Sequence, residues 1–186
     1  MVKDIATGLH YVHHEYEPTV LHRDIKANNI MIDSTFQGRL GDFGLACVVP
    51  HGKNSYTDTG APGTIGFRAP EYIQSGKATT KSDIFAFVVL ILEIVTGKAA
   101  VDAQFRHLTD WVWHHHKEGR LLNAVDSQLT MDHDQPNPSD RPNMVDAVKI
   151  ITKLAPPPDV PLEKPRFVWP PNEGYSLNSD YNHRAE

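Results

Sequence analysis

The sequence predicts a mainly α-helical fold with one short β-hairpin. Three observations point there. Apolar residues recur at helical spacing over residues 2–16, at Val2, Ile5, Ala6, Leu9, Val12 and Tyr16. A run from Ile84 to Val95, broken only by Glu93, is apolar on most faces, as a central core helix must be. Between them, Asn29-Ile30-Met31-Ile32, the polar stretch 33–38 and Arg39-Leu40 read as two strands joined by a turn.

Taken in order, the first helix has no evident cap at its start, the pattern of a cut through an element, and Pro18 stops it. Val20-Leu21 is expected as a short buried strand. After the hairpin, residues 46–59 turn polar around Gly52, Lys53, Asn54 and Ser55 and read as a mobile loop. A short helix is expected at 69–74. Thr80 can cap the apolar helix over about 81–96 and Gly97 can end it. Thr109 can cap another helix through Lys117, with Gly119 past its end. Pro142 fits the first position of a last helix presenting Met144, Val145, Val148, Ile151 and Leu154. From Pro156 onward prolines accumulate, so residues 156–186 read as an irregular or disordered tail behind a domain spanning 1–155. The tail serves as a spacer or, as the less favoured alternative, a ligand for a proline-recognising partner.

Composition narrows the function. The 186 residues suit one domain with a tail, and 40% hydrophobic content is enough for a core. A net charge of −5 argues against nucleic acid as the main partner, which would want a basic face. The single Cys47 excludes an internal disulfide and fits a reducing compartment; a small half-buried side chain is preferred over a redox-sensitive thiol. No apolar leader follows Met1 and no run reaches the ~20 residues of a membrane span. The chain as given is therefore expected to be soluble and cytoplasmic. His114-His115-His116 cannot all face one ion from a helix, and a solvated helix face is the preferred reading. Trp111 and Trp113 suit packing or a docking surface better than a cofactor box.

Chemistry concentrates in two motifs. His22-Arg23-Asp24-Ile25-Lys26-Ala27-Asn28-Asn29 resembles the catalytic loop of protein kinases, and Asp42-Phe43-Gly44 resembles their metal-binding triplet. The two aspartates lie 18 positions apart, and the hairpin between them folds that separation back towards one mouth. A third match, Gly63-Thr64-Ile65-Gly66-Phe67-Arg68-Ala69-Pro70-Glu71, resembles the kinase segment ending in A-P-E. Three motifs in this order make a chance match very unusual. The whole pattern is similar to the large, helical lobe of a serine/threonine kinase. More closely, the chain resembles plant lectin-domain receptor-like kinases, through the His22–Asn29 motif, Glu93-Ile94-Val95-Thr96-Gly97, Trp111-Val112-Trp113 and Lys164-Pro165-Arg166-Phe167-Val168-Trp169.

The resemblance implies ATP and Mg²⁺ as cofactors, a protein substrate, and a kinase or receptor as partner. A receptor parent would set the domain at the cytoplasmic side of the plasma membrane. It implies that Asp24 accepts the proton of a Ser or Thr hydroxyl, that Lys26 neutralises the transferring phosphate, that Asn29 and Asp42 hold Mg²⁺, and that Thr64 bridges to the catalytic pair. Arg23 would receive a phosphate placed on Ser55, Thr57 or Thr59. Asp83 would brace the catalytic-loop backbone, and Glu71 would pair with Arg141. Three features depart from the pattern. No G-x-G-x-x-G strand, strand lysine or partner glutamate of a small lobe is present, and Gly60, Gly63 and Gly66 are spaced wrongly to replace it. Val88 stands where the family's core helix carries glycine. The stretch from Leu129 to Pro138 is short, as though one helix were missing. A non-catalytic interaction module, or a truncated and inactive kinase-derived chain, is the alternative reading.

Overall fold

The computed structural model describes residues 1–126 other than Phe105. These residues form a mostly helical body with three two-stranded antiparallel sheets. The helix expected from Pro142, Arg141, the stretch from Leu129 to Pro138 and the proline-rich tail lie outside the described residues.

Helix α1 (Val2–His10) buries Ile5, Ala6 and Leu9, the face its spacing foretells. It widens into a π-turn over Tyr11–Glu15, so regular α geometry stops earlier than the periodicity suggests. Strand β1 (Val20–Leu21) follows. A 3₁₀ turn (Ala27–Asn29) leads into strands β2 (Ile30–Ile32) and β3 (Gly38–Leu40), which pair with Ile30 opposite Leu40 and Ile32 opposite Gly38. The turn between them is closed by the Asp33 carboxylate, which accepts from the Thr35 and Gln37 N–H groups.

The polar segment 46–59 carries two short strands that its composition does not announce. Strand β4 (Cys47–Val48) pairs with β1, and β5 (Tyr56–Thr57) pairs with β6 (Lys77–Ala78). Between β5 and β6 runs helix α2 (Pro70–Ser75), with Pro70 in its first turn.

Helix α3 (Thr80–Thr96) is the axis of the fold. Thr79, not Thr80, is its cap. The Thr79 hydroxyl accepts from the Ser82 N–H at 3.2 Å, and the Ser82 hydroxyl takes the Thr79 N–H at 3.0 Å. Two threonines in a row both fit the capping rule; the box closes only from the one three residues before Ser82. Gly97 ends the helix in the left-handed region at φ 65°, as a side chain there would resist doing. Ile84, Phe87, Val89 and Leu90 are buried against Ile5, Leu9, Ile25 and Phe67. Val88, half-buried, fills the seam between this cluster and a second one built from Leu92, Leu108 and Val112.

Helix α4 (Leu108–Lys117) starts from His107, which makes no side-chain cap bond, so Thr109 lies inside the first turn and caps nothing. A third cluster (Leu21, Val49, Ala69, Tyr72, Ala78) packs the 46–78 region onto β1. No helix among the described residues is long and apolar enough to cross a membrane.

Candidate active site

The loop from His22 to Asn29 leaves β1 and is fixed from beneath by α3. Asp83, 1% exposed, accepts from the His22 N–H at 2.7 Å and from the Arg23 N–H at 2.8 Å. It also meets His13 Nε2 at 3.0 Å. These bonds hold Arg23 at φ 67°, a conformation that costs an ordinary residue about 1–3 kcal/mol and persists only where its surroundings impose it. His22 is fully buried. Its Nε2 lies 2.9 Å from the Gly41 carbonyl and its Nδ1 accepts from the Asp24 N–H at 3.3 Å. Those two bonds assign the Nε2–H tautomer and tie the loop to the segment preceding Asp42.

With the backbone so fixed, the Asp24 carboxylate collects most of the predicted site. Its Oδ1 accepts from the Thr64 hydroxyl at 2.6 Å and the Thr64 N–H at 3.1 Å. Its Oδ2 accepts from Lys26 Nζ at 2.8 Å and Asn29 Nδ2 at 3.1 Å. Lys26 Nζ also donates to the Thr64 hydroxyl at 2.8 Å, and Asn29 Nδ2 reaches the Asp24 carbonyl at 2.8 Å. Burial pushes the Asp24 carboxyl up. The hydrogen bonds from Lys26 and Thr64, the Lys26 charge and the Asn29 amide outweigh it and hold the group below the usual carboxylate range. At neutral pH this is a largely buried anion, 8% exposed, flanked by an ammonium.

Asp42 stands at the neighbouring turn. The Gly41 N–H donates to the Asn29 carbonyl at 2.8 Å, so the residue before Asp42 is bonded to the residue that flanks Asp24. Asp42 is exposed at φ 51° and its Oδ1 accepts from the Gly44 N–H at 3.2 Å. Phe43, 44% exposed, lays its ring edge-on to His22 with centroids 4.7 Å apart.

The donor set suits one kind of cation. Asn29 spends its amide nitrogen on Asp24, leaving its carbonyl oxygen, and Asp42 supplies a carboxylate. Two hard oxygens completed by phosphate oxygens and water are what Mg²⁺ takes, rather than a closed protein cage. Among the described residues no group of three or more His, Cys, Asp or Glu could hold a metal.

Arg23 sends its side chain away from Asp24. Its guanidinium donates from Nε to the Leu45 carbonyl at 2.6 Å and from Nη1 to Asp58 Oδ2 at 2.8 Å, and lies 5.3 Å over the Tyr56 ring. Of the hydroxyls predicted to receive phosphate, Thr57 and Thr59 are exposed and Ser55 is half-buried. Glu71 sits half-buried in the first turn of α2; Arg141 lies outside the described residues.

The histidine run divides among separate partners: His114 meets Glu118 at 3.4 Å, His115 bonds the Trp111 carbonyl at 3.0 Å, and His116 packs edge-on to Trp113. Trp111 also carries Lys98 at 4.9 Å over its ring. Burial pushes the Cys47 thiol up, against the pull of the nearby Arg23 charge.

Two contributors escaped the sequence reading. His13 occupies a core position four residues after Leu9, and a polar residue on an apolar stripe was the available signal. Asp58 sits among Thr57, Thr59 and Gly60 in a polar segment, where nothing in the pattern distinguishes it.

A family model described as the protein kinase domain matches residues 1–155. The chain is 41% identical over 181 residues to the probable L-type lectin-domain containing receptor kinase S.7 of Arabidopsis thaliana, covering 87% of this chain and 26% of that protein. It is 36% identical over 208 residues to the probable kinase S.5 of the same type and organism, covering 97% of this chain and 32% of that protein. With lectin-domain containing receptor kinase VI.3 of that organism the identity is 47% over 134 residues, 72% of this chain and 19% of that protein. The chain thus spans at most about a third of the length of these relatives.

Proposed function

The chain belongs to the protein kinase family, and from that premise we propose that residues 1–155 are the large lobe of a serine/threonine kinase that moves the γ-phosphoryl group of ATP to a Ser or Thr hydroxyl. One observation carries this reading: Asp24, Lys26, Asn29 and Thr64 form a closed hydrogen-bonded set around a single carboxylate.

Asp24 is the base of this proposal. Its carboxylate would accept the hydrogen bond of the incoming alcohol, aim the oxygen, and take the proton as the new bond forms. Thr64 and Asn29 hold that carboxylate in one orientation, which is the larger part of what such a site supplies. Lys26, now shared by Asp24 and Thr64, would turn part of its charge to the transferring phosphate. Asn29 and Asp42 would hold Mg²⁺, which supplies charge neutralisation at the phosphate oxygens when bound. The lysine two residues after Asp24 supports the serine/threonine class by family resemblance. In a receptor-like parent the lobe would lie on the cytoplasmic side of the plasma membrane.

The test joins this chain to the small lobe of a related kinase and measures phosphorylation of a generic Ser/Thr peptide. Activity that Asp24→Asn lowers by roughly a thousandfold supports the assignment. An unchanged rate removes Asp24 as the base. A second reading is a non-catalytic module that binds partners. Calorimetry of the chain with Mg-ATP separates the two, since micromolar binding counts against the second.

A further inference from the structure

The Arg23 side chain is 8% exposed, and a cation so enclosed needs an anion. Among the described residues that anion is Asp58. Its Oδ2 receives Nη1 at 2.8 Å, and its Oδ1 accepts the Gly60 N–H at 3.1 Å, so both oxygens are engaged. The backbone delivers it there. The Asp58 N–H donates to the Gly76 carbonyl at 2.8 Å, which extends the β5–β6 ladder by one residue. Side chains alternate along a strand. Tyr56 lies under the guanidinium and Asp58 pairs with it, so Thr57 between them faces the other way. Thr59 lies inside the turn that Gly60 closes on Asp58 and is exposed. Arg23 meanwhile grips the Leu45 carbonyl, just beyond Asp42-Phe43-Gly44.

One guanidinium therefore ties three pieces together: the loop before Asp24, the segment after Asp42 and the polar segment 56–58. We propose that Asp58 is a positioning residue whose carboxylate fills, from within the chain, the seat a phosphorylated hydroxyl would otherwise take. The guanidinium donates to Asp58 through Nη1 alone, and a carboxylate or a phosphate oxygen can take that charge-assisted bond equally, so the seat is anion-specific rather than aspartate-specific. Asp58 is suited to it: the Arg23 hydrogen bond and the Gly60 N–H hold its carboxyl below the usual range, so it is ionised at neutral pH. The ordering of residues 45–58 around Arg23 then needs no modification of Ser55, Thr57 or Thr59. The consequence for catalysis rests on the kinase reading above; the contact itself does not.

The experiment uses the whole chain and reads amide hydrogen exchange at residues 56–58, together with the thermal melt. Asp58→Asn is expected to exchange roughly tenfold faster there. Asp58→phosphoserine, introduced during synthesis, returns the rate to that of the unaltered chain, while Asp58→Ser without phosphate stays fast. Thr59→Ala changes nothing. Exchange in Asp58→Asn at the original rate, or phosphoserine no better than serine, overturns the proposal. If Asp58→Asn loses its cooperative melt, recovery of that melt by phosphoserine supports it and failure to recover overturns it. These rates are read without any activity, so the expected exchange pattern together with an inactive small-lobe fusion counts against the kinase reading alone.

Discussion

Asp83 and Asp58 hold the same residue from two sides of the molecule. Asp83 is 1% exposed and takes the backbone of His22 and Arg23, with His13 behind it. Asp58 has a side chain 30% exposed and takes the guanidinium. The first contact sits inside the cluster around α3 and cannot be rehydrated when broken. In the second, Asp58 can exchange its partner for water, while Arg23, 8% exposed, is rehydrated only when the segment lifts away. The difference teaches that a buried acid sets whether the loop exists, while a half-exposed one sets whether a neighbouring segment stays against it.

The largest expected effect follows from removing the buried member. Asp83→Ala leaves two backbone N–H groups and the His13 Nε2 without their acceptor, and costs about 3–5 kcal/mol by analogy with broken buried charge networks. Urea melts of the whole chain check it. Asp58→Asn is expected to lower the melting midpoint by clearly less than Asp83→Ala does, with its largest change in local exchange at residues 56–58. Equal midpoint shifts in the two variants would break the comparison.

Next comes the point where the 46–64 segment touches the loop directly. Gly63 has φ 129°, and a Cβ there would stand 2.7 Å from the Arg23 carbonyl oxygen. Gly63→Ala is expected to cost about 1–3 kcal/mol in strain, and to relieve it by moving Thr64 away from Asp24. The Thr64 amide signal should shift towards its position in an Asp24→Asn chain. In a version joined to a small lobe, the rate should fall roughly a hundredfold, the usual cost of a misplacement near 1 Å. A variant that strains the segment but leaves the Thr64 signal in place would show that the two regions are less coupled than their contact suggests.

Which parts of this were legible beforehand follows from which signals are local. The helices at α1, α3 and α4 and the hairpin were readable because apolar period and turn residues are written in consecutive positions. The set around Asp24 was readable because its motif fixes spacing within eight residues, and Thr64 because a second motif carries it. Asp58 was not, since its role depends on β5 meeting β6 across α2, a pairing of two-residue strands with no pattern of their own. The strands β4 and β5 were missed for the same reason. His13 needed the register between α1 and α3, which neither helix specifies alone.

The cap of α3 gives a smaller and sharper check on the same lesson. Thr79→Ala removes the acceptor for the Ser82 N–H and is expected to cost about 1 kcal/mol. Thr80→Ala, one residue inside the helix, should stay within about 0.5 kcal/mol of the original. Reversed magnitudes would return the cap to the residue that composition alone selects.

The smallest effects are in pH, and they separate Asp24 from His14 by window. Asp24 has its folded pKa depressed despite burial, so its contribution is present above the ordinary carboxylate pKa and is lost as pH falls through the folded one, below about pH 4. Asp24→Asn should flatten that acid limb. His14, in the π-turn that follows α1, is also depressed, first by partial burial and then by the neighbouring His10 and His13 rings. Its folded form binds fewer protons than the unfolded chain near pH 6. Stability from this residue is therefore complete above about pH 6.5 and declines as pH falls below it. His14→Gln should remove that decline and leave the acid limb untouched. A slope below pH 6.5 that survives His14→Gln would remove His14 as its source.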